Sequence, residues 1–83
     1  MKLIDLLNNL AVAEAETNAI EAQMRADGDA EAHEDAWDKA YAEEMTAFKA
    51  VIGWLEQVGI ERKVACRMVR TRRTELVKIA ELE

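Results

Sequence analysis

The sequence predicts an all-α protein, built as a three-helix up-down-up bundle or as a helical hairpin with an added third helix. Proline is absent from the 83 residues and glycine occurs three times, whereas Ala, Glu, Leu, Arg and Met are abundant. This composition favours helix over nearly the whole chain. Two glycines divide the chain into three segments, and each segment carries apolar residues at helical spacing. We therefore expect a single helical domain over residues 1–83, with helices at about 3–26, 30–58 and 61–82.

The first helix is predicted from an apolar seam whose members follow alternating steps of three and four: Leu3, Leu6, Leu10, Ala13, Thr17, Ile20 and Met24. Its end is indicated by Gly28, because glycine is the residue best suited to the left-handed conformation that closes a helix. Asp29 follows at once, and its carboxylate is suited to accept a hydrogen bond from a free amide at the start of the next helix.

The second helix continues the same rule of spacing, with a stripe made of Trp37, Tyr41, Glu44, Phe48, Val51, Leu55 and Val58. Gly53 lies inside this pattern and is expected to be helical. Gly59 marks the end of the helix, and Ile60 behind it can fold back onto the last helical turn.

The third helix is predicted from a shared face that contains Ala65, Met68, Val69, Arg72, Leu76, Ile79 and Ala80. Short connections make neighbouring helices antiparallel, so this helix should run back along the second one. In that register Glu44 and Arg72 lie about level, each among apolar residues. We expect them to form an ion pair across the core; the alternative is that both side chains reach the solvent at the rim.

Self-association is predicted from size and from two apolar features. A chain of 83 residues buries only about 60% of its unfolded surface and is marginally stable alone. The start of the first helix is apolar over too wide a sector for one partner helix, and Trp54 lies away from the main stripe of its helix. Either the third helix or a second copy covers this surface, and a homodimer would use Leu3, Ile4, Leu7, Ala11 and Trp54.

Charge is distributed unevenly along the chain, whose net charge is −6. Residues 14–44 contain eleven acids and two bases, a net charge of −9, whereas residues 62–78 contain seven bases and one acid. An antiparallel third helix would bring part of this positive charge beside the acids near residues 35–44. The acids left over form a cap at the Gly28 turn, which we expect to bind a partner through Glu21, Asp27, Asp29, Glu31, Glu34, Asp35 and Asp38.

Direct binding of nucleic acid by the third helix is the alternative use of the charges. It would engage phosphates through Arg62, Lys63, Arg67, Arg70 and Arg73. No aromatic residue accompanies these bases for stacking, the helix lacks Asn and Gln for base edges, and the chain as a whole is acidic.

No catalytic residues, cofactor site or metal site are expected. His33 is the single histidine and Cys66 the single cysteine, so neither a di-metal carboxylate site nor a supported nucleophile can be assembled. The acids from Asp27 to Asp38 have the spacing of a calcium loop, but Ala32 stands where that loop needs glycine and Glu34 where it needs an apolar residue.

These observations favour a non-enzymatic interaction protein. One cysteine and the lack of a signal-peptide pattern indicate a reduced, cytoplasmic protein, and no apolar run is long enough to cross a membrane. In size, acidity and lack of catalytic residues the chain resembles small phage-encoded inhibitors of host systems, anti-CRISPR proteins among them; the resemblance rests on no shared motif. It implies an inhibitor whose carboxylates occupy a basic, nucleic-acid-binding site on a partner protein. The alternatives are a DNA-binding regulator and a structural helical subunit of a larger complex.

Overall fold

The computed structural model describes all residues 1–83 and confirms an all-helical protein. Its helices are α1 (Leu3–Asp27), α2 (Ala30–Gln57), α3 (Arg62–Thr71) and α4 (Arg73–Ala80). The molecule measures 43 × 22 × 20 Å. At 1.5 Å per residue a 28-residue helix is about 42 Å long, so the antiparallel hairpin of α1 and α2 sets the long axis. None of the four helices combines the length and the apolar character that crossing a membrane requires.

The two glycine turns have the backbone conformations that the sequence predicts. Gly28 has φ +66° and donates its N–H to the Met24 carbonyl. Asp29 then caps α2, since its Oδ1 accepts a hydrogen bond from the Ala32 N–H at 3.2 Å. Gly59 has φ +95°, and the following residue, Ile60, bonds back to the Leu55 carbonyl and packs against the core. Each turn therefore satisfies amide or carbonyl groups that a helix end leaves free.

The predicted third helix is divided into two at Arg72, which has φ −128° and ψ 37°. The Val69 carbonyl accepts a hydrogen bond from the Arg73 side chain at 2.8 Å, at the point where the two helices meet. α3 rises along α2, from Arg62 beside Glu56 to Arg70 over Phe48.

After the break the chain runs back down along α1. Arg73 contacts Glu14, and at the far end Glu83 accepts a hydrogen bond from the Leu3 N–H at 2.9 Å. The prediction of one third helix that stays on α2 is therefore wrong in its second half. α4 covers the start of α1 instead of the acidic part of α2.

The core is small and lies at one end of the hairpin. Thirteen of the 83 residues are buried, and ten of them form one cluster: Leu3, Leu7, Leu10, Val51, Ile52, Leu55, Ala65, Val69, Leu76 and Ala80. All four helices contribute to this cluster, so it ties α3 and α4 to the α1–α2 hairpin.

The prediction that Leu3 and Leu7 form a self-association surface is wrong. Both are at most 2% exposed, because Leu76 and Ala80 of α4 join them in the core. Ile4 and Trp54 are half-buried against the same cluster, and Ala11 is exposed. The part of the apolar sector of α1 that contains Leu3 and Leu7 is therefore covered by this chain's own α4.

The predicted ion pair between Glu44 and Arg72 is also absent. Arg72 is exposed, and the arginine that makes the long-range pair is its neighbour Arg73, which binds both carboxylate oxygens of Glu14 at 2.8 and 3.0 Å. The predicted register assumed an unbroken helix, whereas the break at Arg72 turns the following side chains from α2 toward α1.

Candidate functional site

Beyond the core the α1–α2 hairpin continues as a bare pair of helices, which we call the tip (residues 15–43). No tip residue belongs to the core cluster or packs against it. Thr17 and Ala40 are the only buried residues of the tip. These small side chains allow the two helices to lie close together, and the Thr17 hydroxyl is satisfied by the Ala13 carbonyl at 3.1 Å. At 1.5 Å per residue the tip projects about 20 Å.

The tip carries nine carboxylates and two basic residues, Arg25 and Lys39. Neither base forms an ion pair, and no hydrogen bond or ion pair joins the tip to α3 or α4. The positive charge of the chain's later part is therefore not used to neutralise the tip, contrary to the expectation from an antiparallel third helix.

Two of the seven predicted partner-binding residues have structural roles. Asp27 Oδ2 lies 2.7 Å from His33 Nε2, a contact that closes the turn between α1 and α2. Asp29 caps α2. The other five carboxylates have no hydrogen-bond or ion-pair partner, and all but the half-buried Glu21 are exposed: Glu21, Glu31, Glu34, Asp35 and Asp38.

The free carboxylates of α2 repel one another along the helix. Glu31 precedes Asp35 by four residues, and Glu34 precedes Asp38 by four. Like charges at this spacing destabilise a helix by about 0.2–0.5 kcal/mol per pair. Near its N-terminus the α2 dipole offsets part of this cost for Glu31. The tip thus presents a concentrated negative surface that a cationic partner would stabilise.

An aromatic pair lies on the same part of α2, and the sequence alone does not predict it as a binding feature. The rings of Trp37 and Tyr41 stack, with centroids 4.9 Å apart and planes at 7°. Trp37 is half-buried and Tyr41 is 41% exposed. The signal in the sequence was their four-residue spacing among acids, which predicts that both rings share a helical face with carboxylates.

The basic residues of α3 and of the start of α4 are engaged unevenly. In α3, Arg62 lies 3.4 Å from Glu56 and the Arg70 guanidinium lies 5.5 Å from the Phe48 ring centroid; Arg73, the first residue of α4, is bound to Glu14. Lys63 and Arg67 are exposed and form no ion pair. With Arg70 they form an outward strip at steps of four and three, the basic strip (Lys63, Arg67 and Arg70).

Cys66 is half-buried and His33 lies at the tip turn. No three His, Cys, Asp or Glu side chains are arranged to hold a metal ion.

No protein-family model, curated protein or solved structure gives a significant match to the chain. The candidate site is therefore defined by its geometry alone.

Proposed function

We propose that the protein is a non-enzymatic inhibitor whose acidic tip occupies a basic, nucleic-acid-binding site on a partner protein. The observation that carries this proposal is the tip itself, a projecting two-helix element with free carboxylates and no role in the core. Carboxylates at helical spacing offer a basic groove the negative charge that it otherwise takes from phosphates.

The energetics of the tip support this use. A tip that served only stability would gain from pairing its acids with the arginines of α3, yet no such pair forms. The repulsion within α2 is instead left to be relieved by an external cation. Small phage-encoded inhibitors, anti-CRISPR proteins among them, are the class that the chain resembles in size and acidity, and we extend the proposal to that type of inhibitor.

The experiment that tests this proposal is capture followed by competition. The immobilised chain is exposed to a lysate of the native host, and retained proteins are identified by mass spectrometry. The proposal predicts a nucleic-acid-handling protein that added nucleic acid displaces and that a variant with Glu31, Glu34, Asp35 and Asp38 changed to Lys fails to retain. A retained protein that nucleic acid does not displace contradicts the mimicry.

A second candidate, nucleic-acid binding by α3, is supported by the exposed basic strip. Three exposed cations at steps of four and three along one face of α3 could contact successive phosphates. The strip is short, and the rest of the chain is acidic. A gel shift at low and high salt distinguishes the candidates: the second predicts a complex at low salt that Lys63→Gln and Arg67→Gln abolish.

We also propose self-association, through a surface other than the one predicted from sequence. An open groove of about 600 Å³ lies between α1 and α2, lined in part by Leu6, Val12, Ala47 and Ala50. Val12 is 69% exposed. Because only 13 of 83 residues are buried, covering this groove with a second copy would add apolar burial that the monomer lacks.

A further inference from the structure

One stripe of α2 passes from the core onto the tip without a change of face. Its members follow steps of three and four: Glu34, Trp37, Tyr41, Glu44 and Phe48. At the lower end Phe48 packs against the core and lies under the Arg70 guanidinium of α3. Toward the upper end, α3 stops, and the next two aromatic rings of the stripe, Trp37 and Tyr41, continue onto the open tip. The α2 surface that α3 uses therefore extends past the end of α3.

A cleft of about 340 Å³ opens where α3 ends, with Tyr41, Glu44 and Phe48 on the α2 side. The basic residues beside it are Arg70 and Arg73. The Arg70 guanidinium lies over the Phe48 ring and forms no ion pair. Arg73 is neutralised by Glu14, with which it forms two hydrogen bonds. Glu44 is half-buried and forms no ion pair. The cleft thus offers the Tyr41 ring and the unpaired Glu44 carboxylate, with the Arg70 cation also among its lining residues.

This pairing of groups fits a guanidinium. A planar guanidinium stacks on an aromatic ring and donates two parallel hydrogen bonds to a carboxylate. The protein already contains one example of each contact. The Arg70 guanidinium lies over the Phe48 ring, and the Arg73 guanidinium donates two hydrogen bonds to the Glu14 carboxylate. Lysine fits less well, since its ammonium is a compact, strongly hydrated charge that cannot stack.

We propose that Tyr41 and Glu44, with Trp37 behind the Tyr41 ring, form a receptor for an arginine side chain of the basic partner. The inference rests on the proposed function, for which it names the residue type that the tip and the adjoining cleft recognise. The occupant is an arginine-bearing segment that follows the path of α3 onto the tip, with Glu34 and Asp38 contributing further negative charge beside the rings.

Arginine binding is tested by two-dimensional NMR on the full chain at low ionic strength, with hexa-arginine and hexa-lysine peptides as probes. The two indole N–H signals are assigned with Trp54→Phe. The proposal predicts that hexa-arginine shifts the Trp37 signal and leaves that of Trp54 in place. It also predicts that hexa-arginine binds roughly threefold more tightly than hexa-lysine, as a stacking gain at an exposed site implies.

Variants separate the receptor from general charge attraction. Tyr41→Ala and Glu44→Gln are each expected to weaken hexa-arginine binding roughly threefold and to bring the two peptides close to equal affinity. Tyr41→Phe keeps the ring and should keep the preference. Glu43→Gln is the matched control for Glu44→Gln, since Glu43 is exposed and lines the opposite groove between α1 and α2. It should preserve the preference for arginine.

Equal affinity of the two peptides for the unmodified chain, or an unmoved Trp37 signal, would overturn the arginine receptor. The proposed function fails by a different result, namely capture of a partner that is indifferent to reversal of the tip charges. If the chain prefers hexa-arginine but its captured partner is indifferent to the reversed tip charges, the arginine receptor is supported and the proposed inhibitor function is not.

Discussion

Arg72 and Arg73 are adjacent in the sequence, yet only Arg73 forms an ion pair. Its guanidinium binds both oxygens of Glu14, and its Nε donates to the Val69 carbonyl. Arg72 points to solvent. The apolar pattern predicted a pair between Arg72 and Glu44 of α2, and both partners are wrong. The break at Arg72 turns the chain toward α1, so the next residue, Arg73, meets Glu14 instead.

Arg73→Gln is expected to lower the free energy of unfolding by about 1 kcal/mol. The side chains of the pair are 29% and 34% exposed, so solvent screening limits the effect. Arg72→Gln, the matched control, should stay within about 0.5 kcal/mol of the unmodified protein. Urea unfolding measures both values, and Glu14→Gln completes a double-mutant cycle. Equal losses at the two arginines would refute the assigned pair.

Among the elements, α1, α2 and both glycine turns could be predicted from the sequence because their signals are local. Apolar spacing and cap chemistry act within a few residues. The break at Arg72 has no such signal, since neither glycine nor proline is near. The Thr71 hydroxyl donates a hydrogen bond to the Arg67 carbonyl, and bonds of this type often bend helices. The Thr17 hydroxyl makes the same type of bond within the unbroken helix α1, so this bond alone does not explain the break.

Tertiary packing supplies the remaining cause of the break. Leu76 and Ala80 are buried with Leu3 and Leu7 only because α4 returns along α1. Because α4 packs along α1 and not along the upper part of α2, the tip and the Tyr41–Glu44 cleft stay exposed. The sequence therefore predicted seven of the nine acids of the tip, but it could not predict that α3 would stop below Tyr41 and leave the aromatic pair open.

Substitutions at two glycines test one helical position, Gly53, and one turn position, Gly59. Gly53→Ala should stabilise the protein by about 0.5–1 kcal/mol, because the residue is helical and an added Cβ would meet no atom within 4 Å apart from its chain neighbours and the adjoining helical backbone. Gly59→Ala should destabilise it by about 1–2 kcal/mol, since φ is +95° there. Thermal unfolding followed by circular dichroism reports both. Destabilisation by Gly53→Ala would contradict an open helical position.

Across the whole molecule, the charge asymmetry of the sequence becomes a separation in space. The acidic tip occupies one end of the 43 Å axis, whereas the core and α3 with its basic strip occupy the other part. The separation leaves both charged surfaces exposed to solvent at different parts of the molecule.

Self-association is expected to bury the α1–α2 groove. Sedimentation should show a species of twice the chain mass at micromolar concentration, and Val12→Glu should return it to monomer by placing a charge in the apolar contact. Ile79→Glu is the matched control, because Ile79 is 54% exposed on α4 and is not a groove residue. If the unmodified protein sediments as a monomer at all concentrations, the proposed dimer is refuted. If Val12→Glu and Ile79→Glu have equal effects, the dimer does not form through the α1–α2 groove.

The central claim is that the acidic tip is the functional surface, and partner retention by two charge variants tests it most directly. The first variant changes Glu31, Glu34, Asp35 and Asp38 to Lys, and spares Asp29 because it caps α2. The second changes the basic strip to Gln. Exposed substitutions of this kind leave the fold nearly intact, which circular dichroism checks. We predict that the first variant loses the host protein retained by the unmodified chain and that the second keeps it. Retention by the first variant and loss by the second would contradict the account and make α3 the functional surface.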